Sequence, residues 1–452
     1  MIPTRERCRS VTRLCRRAAR PVIGTMDAHA NDVAVVISHP GPADVLERVI
    51  ASTQAVVAHH KIPATLYLAD DGTRDDAARI AVARGVTVIP QRERGYGGVL
   101  NAAIAATTAA YIVTLDGDGL HPPGLLPYFY VQRAEAAILI GSRYVPQGFT
   151  QMPLWRTFCS WLLNSAFRTM LDLPFRDLSS SYRMYSRDLL AAMTPATAGD
   201  AALPEVLIKS FCQGHSALEL PMHYVQDPRG AGRPFGSLAR LGLDYASTLK
   251  AMWVLRNSVE SSDYDTRAFY SRIPFQRWWQ RRRYAILSGY IGDALRVLDA
   301  GCGSTQLLNR FPQNVGMDFG LRKMRFMRRP GRYLVNGSTF ELPFRSEAFD
   351  IVISSQVIEH LPDDMRIFNE LIRCVAPGGA LVLGTVDYGS WQWPFIEYLY
   401  GLFKPTGYAQ EHITHYTTAS LVQRLTGLGL KIEQIQYICR GEIVIKARKP
   451  AA

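Results

Sequence analysis

The stretch Tyr111-Ile-Val-Thr-Leu-Asp116-Gly-Asp118-Gly-Leu-His121-Pro-Pro123 limits what this chain can fold into more than any other. An apolar run that ends in a cluster of turn residues predicts a buried parallel strand. Ligands of open α/β sheets gather beyond the carboxyl ends of such strands. Two carboxylates at i and i+2, held together there, repel each other unless a cation compensates them. A hard divalent ion, Mg²⁺ or Mn²⁺, bridging to a substrate diphosphate would supply that charge. The same residues also suit a plain polar turn, because Asp and Gly are ordinary turn formers. The neighbouring segments decide between the two.

Residues 33–37 and 65–69 read as strands, the second ending in Asp70-Asp71-Gly72-Thr73. A third strand, Val86–Pro90, leads into Arg94-Gly95-Tyr96-Gly97-Gly98 and an Ala-rich helix. Strand and helix alternating at this spacing predict a parallel sheet covered by helices on both faces. Over about 33–237 this half resembles a family-two glycosyltransferase of the GT-A fold, closest to polyprenyl-phosphate (dolichyl-phosphate) sugar synthases. The resemblance is carried, in order, by Asp70-Asp71-Gly72, Gly95-Tyr-Gly-Gly98, Asp116-Gly-Asp118, Gly141-Ser-Arg143-Tyr and Asp177-Leu-Ser-Ser-Ser-Tyr-Arg183.

The resemblance implies metal-dependent, inverting transfer of a sugar from a nucleotide-sugar to a polyprenyl phosphate or a related lipid or glycan. It assigns Asp116 and Asp118 to the metal, and Asp70, Asp71 and Gly97 to the nucleotide-sugar. A departing diphosphate needs its charge neutralised, which a cation and positioned arginines achieve. A lipid phosphate is already an anionic nucleophile and needs no general base. Arg143 and Arg183 are therefore the expected catalytic cations, with Arg229 and Arg233 toward the nucleotide-sugar and Arg176 a further candidate. The chain departs from the family in three places. Leu120 stands where a ligating Gln is common, Ser38-His-Pro-Gly replaces the usual opening turn, and Arg229-Gly-Ala-Gly232-Arg-Pro-Phe235 lacks the late Ser and Lys.

Leu154–Leu173 carries Trp155, Phe158, Trp161, Leu162, Phe167 and Met170 beside Arg156 and Arg168. Such a stripe suits an interfacial helix for a polyprenyl acceptor, and equally a core-facing helix. The net charge of +12 is uneven, since residues 1–20 hold seven arginines against one glutamate. That segment is either a basic arm for anionic lipid, expected to be disordered over 1–30, or translated upstream sequence with the start at Met26. No apolar core of a secretory signal follows it. The seven scattered cysteines form no Cys-x-x-Cys pair, which fits a reducing cytosol rather than zinc or disulfides. With no spanning run, the expected location is cytoplasmic, peripheral at the inner face of the membrane.

The second half opens on a polar connector, Glu260-Ser-Ser-Asp-Tyr-Asp265, and on Arg277-Trp-Trp-Gln-Arg-Arg-Arg283. The latter reads as a domain-packing helix, and no nucleic-acid partner is expected. Next come Arg296-Val-Leu-Asp299-Ala-Gly301-Cys-Gly303-Ser, Met317-Asp318, Glu341-Leu-Pro-Phe344, Val357-Ile-Glu-His-Leu361 and Val375-Ala-Pro-Gly-Gly379. Over about 264–447 this set resembles a class I S-adenosylmethionine-dependent methyltransferase (type 11), similar to those of ubiquinone and menaquinone biosynthesis. It implies a Rossmann-like sheet in which Asp299, Gly301 and Gly303 line the methionine part of S-adenosylmethionine and Asp318 the ribose. Gly337-Ser338 stands where Gly-Asp is usual, so Ser338 or Glu341 is expected toward the adenine. Glu359, His360, His412 and His415 are the candidates for a base on the methyl-acceptor side, with purely structural histidines as the other reading. Trp391–Phe403 is aromatic enough for a lid, or equally for a membrane-facing or packing helix.

The expected organisation is α/β throughout, with a GT-A glycosyltransferase domain over 31–257 and a methyltransferase domain over 258–452. The combined expectation is a bifunctional enzyme whose methyl transfer acts on the glycosylated product or on a pathway-related acceptor. The alternative is a degenerate sugar-transferase module that docks an active methyltransferase.

Overall fold

The structure is a computed structural model that describes residues 32–38, 41–193, 195–225, 235–311, 313–403 and 412–451. Arg229, Arg233 and the basic arm lie outside the described residues. The chain divides into two compact units, one running to Phe211 with His215–Val254, the other from Leu255 onward with Cys212–Gly214.

The first unit is built on β1 (Val33–Ser38), β2 (Ala64–Asp70), β3 (Thr87–Pro90), β4 (Tyr111–Asp116), β5 (Ile138–Ser142), β6 (Phe149–Thr150), β7 (Arg183–Ser186), β8 (Ala217–Pro221) and β9 (His223–Tyr224). Seven of these make one sheet in the order β3-β2-β1-β4-β7-β5-β8, while β6 and β9 pair separately. Every residue of β1 is buried, as expected of a strand covered on both faces. The core gathers Val33, Val35 and Ile37 with Val45, Leu46, Val49 and Ile50 of the helix Ala43–His59.

The sheet is not wholly parallel. β7 runs antiparallel to both β4 and β5. Segment 177–182 explains the reversal, because Ser181 reaches Asp116 at the carboxyl end of β4 and the chain then descends. Arg183 therefore pairs with Thr114 near that end, and Ser186 with Tyr111 at the other.

The second unit contains β10 (Val297–Ala300), β11 (Val315–Asp318), β12 (Tyr333–Asn336), β13 (Phe349–Ser355), β14 (Val375–Val386), β15 (Lys431–Ile438) and β16 (Glu442–Arg448), ordered β12-β11-β10-β13-β14-β16-β15. β10 to β14 pair in parallel, and β16 is antiparallel to both β14 and β15. This is a doubly wound sheet whose last strand inserts beside the fifth. The Arg- and Trp-rich helix Pro274–Ile291 packs on it, with Trp279 Nε1 donating to Glu442 Oε2 at 2.5 Å. Arg283 grips the same buried carboxylate at 2.5 and 2.7 Å. Among the described residues no helix is long and apolar enough to cross a membrane.

Two candidate transferase sites

Asp116 closes β4, opposite Ser38 at the end of β1. Ser38 Oγ donates to Asp116 Oδ1 at 2.9 Å, and Ser181 Oγ donates to Oδ2 at 2.7 Å. The Asp116 N–H donates to His121 Nδ1 at 3.0 Å, so Nδ1 carries a lone pair. The 3.7 Å approach of Nδ1 to Asp116 Oδ2 is therefore not an ion pair. His121 is buried and stacks on Tyr182 with centroids 5.2 Å apart. Asp118 is half-buried on the turn, with Oδ1 accepting from the Leu120 N–H at 3.1 Å. Two braced carboxylates thus stand at the carboxyl end of β4, acceptor-only groups of the kind a cation takes.

Asp70 and Asp71 at the end of β2 shape their own turn. Asp70 Oδ1 accepts from Gly72 N–H and Asp71 Oδ1 from Thr73 N–H, both at 3.0 Å. Gly97 is buried under residues 197–199. Its N–H donates to Gly199 O at 3.4 Å, and a Cβ there would lie 2.0 Å from Thr197 O. Gly97 therefore serves close backbone packing.

The two arginines are placed differently from the sequence expectation. Arg143 is buried, and its Nε and Nη2 hold the two Asp177 oxygens at 2.8 Å each. Nη2 also donates to Ser179 Oγ at 2.8 Å. Burial works against the Asp177 charge, but Arg143 outweighs it and holds the carboxyl below the usual range. Arg183 is fully buried and donates to the carbonyls of Leu203 at 2.8 Å and Leu178 at 2.7 Å. Both cations fasten the segment that delivers Ser181. The motif that contains Asp177 held this information, but the partnership spans 34 residues.

The helix Leu154–Leu171 turns Asn164, Phe167 and Leu171 inward. Trp155, Phe158, Trp161 and Leu162 are about half exposed, at 48, 58, 53 and 52%. Apart from Phe167, the stripe is a surface feature rather than core.

In the second unit Asp299 is buried at the end of β10. Gly301 and Gly303 adopt φ of +82° and +53°. A Cβ on Gly301 would meet Val357 Cγ2 at 2.2 Å, and one on Gly303 would meet Asp265 Oδ2 at 2.4 Å, so only glycine fits. Asp318 accepts from Gly303 N–H at 2.8 Å and Gly320 N–H at 2.7 Å. Burial, then the charges of Asp318 and Asp265, raise the Asp299 carboxyl to about 7. Asp265 was legible only as a connector residue, yet its Oδ2 accepts from Ser304 N–H at 2.9 Å and lies 3.4 Å from Lys323 Nζ. Ser338 is half-buried, with Oγ accepting from Phe340 N–H at 3.2 Å, and Glu341 is exposed.

On the expected acceptor side, Glu359, His360 and His412 come together. His415 instead stacks on Tyr388 with centroids 4.0 Å apart. Tyr388 and Glu397, which no motif singled out, flank His412.

Comparison with known proteins matches residues 34–193 to glycosyl transferase family 2 and residues 298–383 to a methyltransferase domain. The chain therefore carries two transferase domains, a glycosyltransferase followed by a methyltransferase. An uncharacterized glycosyltransferase of Mycobacterium tuberculosis is 25% identical over 187 residues, covering 41% of this chain and 85% of that protein. The undecaprenyl-phosphate 4-deoxy-4-formamido-L-arabinose transferase of Klebsiella pneumoniae is 27% identical over 225 residues, covering 48% of this chain and 67% of that protein. Among solved structures, glucosyl-3-phosphoglycerate synthase from Mycobacterium tuberculosis with Mn²⁺ and UDP is 20% identical, covering 49% of this chain and 80% of that one, with a TM-score of 0.40.

Proposed function

We propose that the first unit transfers a sugar from a nucleotide-sugar to a polyprenyl phosphate, and that the second methylates the product or a pathway-related acceptor. The observation that carries the first part is the Asp116–Asp118 pair at the edge of β4, with Asp116 oriented by Ser38 and Ser181. These acids would hold Mg²⁺ or Mn²⁺, which neutralises a leaving diphosphate when bound. Asp70 and Asp71 stand at the end of β2, two strands along the same edge, and are assigned to the nucleotide. Arg143 and Arg183 act as positioning residues through the 177–183 segment. The polyprenyl-phosphate acceptor rests on likeness to the undecaprenyl-phosphate sugar transferase of Klebsiella. The exposed aromatic face of Leu154–Leu171 supports peripheral membrane contact.

For the second part, Asp299, Gly301, Gly303, Asp265 and Asp318 form a glycine cradle lined with acids. That cradle fits a cofactor bearing an ammonium, a sulfonium and ribose hydroxyls. S-adenosylmethionine, when bound, supplies an electrophilic methyl group, and the protein's task is alignment. Ser338 and Glu341 follow β12 toward the adenine side.

Titration calorimetry with UDP and GDP, with and without Mn²⁺, tests the first part. Metal-dependent binding that Asp118→Ala removes is expected. No nucleotide binding at all favours the second reading, a docking module without activity, which gains weight because Arg143 and Arg183 are both engaged within the protein.

A further inference from the structure

We infer that Glu359, His360 and His412 form a binding site for a divalent transition-metal ion, of the Zn²⁺ or Fe²⁺ class, on the acceptor side of the methyltransferase unit. One ligand atom from each residue lies within 4.8 Å of the others. Two nitrogens and one carboxylate oxygen are a donor set that such ions take, with positions left for a substrate oxygen.

A second observation points to a ligand independently. Glu359 is fully buried, and neither of its carboxylate oxygens has a hydrogen-bond partner. A buried carboxylate in that state is costly unless a proton or a cation compensates it. The backbone around it is rigid, since Glu359 O accepts from Ile413 N–H at 2.8 Å and Thr414 N–H at 3.1 Å. These bonds join the two loops that bring the ligands.

The outer contacts suit a ligating histidine. Tyr388 donates its O–H to Glu397 Oε1 at 3.0 Å and stands 2.9 Å from His412 Nδ1. Nδ1 is then the protonated nitrogen, and Nε2 carries the lone pair that a metal takes. Val357, two residues before Glu359, fills the space against Gly301 of the cofactor cradle. An ion here would lie on the loop that flanks the methyl donor, where an acceptor hydroxyl has to arrive. This role rests on the methyltransferase reading, whereas the site itself does not.

The test uses the full chain carrying Asp118→Ala, so that the first unit's proposed metal is absent. After chelation and dialysis, the protein is titrated with Co²⁺ and with Zn²⁺. About one equivalent of each should bind, Co²⁺ giving a visible d–d spectrum that Zn²⁺ displaces. Glu359→Gln and His412→Ala should each weaken binding at least tenfold, with circular dichroism checking that the variants fold. If a variant unfolds, the Co²⁺ spectrum of the parent protein decides alone. No stoichiometric uptake, or uptake that survives both substitutions, overturns the site. Metal binding without S-adenosylmethionine binding leaves the site standing and removes the methyltransferase role.

Discussion

If Arg143 is a clamp for Asp177 rather than a phosphate ligand, Arg143→Met should damage stability and not nucleotide binding. The substitution leaves a fully buried carboxylate without its cation. Breaking a buried pair from one side costs about 3–5 kcal/mol. For a unit of this size each kcal/mol moves the midpoint by about 2–4 °C, so the first unit should melt about 6–20 °C lower. The pH response should also invert. In the parent protein the Asp177 carboxyl is held low, so its contribution is present above the ordinary carboxyl pKa and lost as pH falls through the lower folded value. Without Arg143, burial raises that pKa, and the variant's deficit should shrink as the solution is acidified. Arg143→Met/Asp177→Asn should recover much of the loss, because the buried charge is gone. Calorimetric melts from pH 5 to 8, paired with UDP and GDP titrations in Mn²⁺, read both quantities. A variant that melts like the parent protein yet no longer binds nucleotide would refute this assignment.

Ser181→Ala should weaken Mn²⁺ binding by about ten- to a hundredfold, the usual effect of losing an orienting partner, while Asp118→Ala abolishes it; isothermal titration distinguishes the two. Trp155→Glu with Trp161→Glu should cut binding to anionic vesicles by about tenfold or more, since each inserted indole contributes on the order of 1.5–3 kcal/mol; sedimentation with liposomes reads it. For Asp299, raised to about 7 by burial and by the charges of Asp318 and Asp265, a cationic ligand favours the ionised form. S-adenosylmethionine affinity should therefore rise with pH up to about 7 and level off, with proton release on binding, and Asp299→Asn should flatten the profile. The same raised carboxyl makes stability fall as pH climbs from its unfolded value toward about 7, a slope that Asp299→Asn removes.

Strand positions were legible because buried parallel strands read as unbroken apolar runs, and β1, β2, β3 and β4 all start and end close to where those runs do. The acids at their carboxyl ends were legible for the same reason. What the sequence withheld was pairing across distance. Arg143 reads as a cation seeking phosphate until Asp177, 34 residues on, is seen to occupy it. Asp265 reads as part of a solvated connector until Ser304, 39 residues later, is found bonded to it. The reversed strand β7 was hidden because four residues of Arg-Met-Tyr-Ser carry no sign of direction. The aromatic stripe of Leu154–Leu171 was ambiguous in principle, since the same periodicity suits a core or a membrane, and only its exposure separates them.

Both sites obey one geometric rule with opposite chemistry. β1 has β2 on one side and β4 on the other, and β10 has β11 on one side and β13 on the other, so each is the strand from which the connections diverge. Helices leave such a point in opposite directions and open a crevice over the carboxyl ends. In the first unit that end carries Asp116, steadied by the Ser38 and Ser181 hydroxyls, and Asp118, which on the proposed reading hold a cation and through it a diphosphate. In the second that end carries glycines with positive φ, whose missing side chains leave room for Val357 and Asp265 beside the buried Asp299. On the proposed reading, the sequence difference between Leu-Asp116-Gly-Asp118 and Leu-Asp299-Ala-Gly301-Cys-Gly303 turns one strand end toward a metal-bridged diphosphate and the other toward a cationic cofactor. A chimera carrying the second motif in place of the first should accordingly lose Mn²⁺-dependent nucleotide binding; if it kept that binding, the acids at β4 would not be the grip.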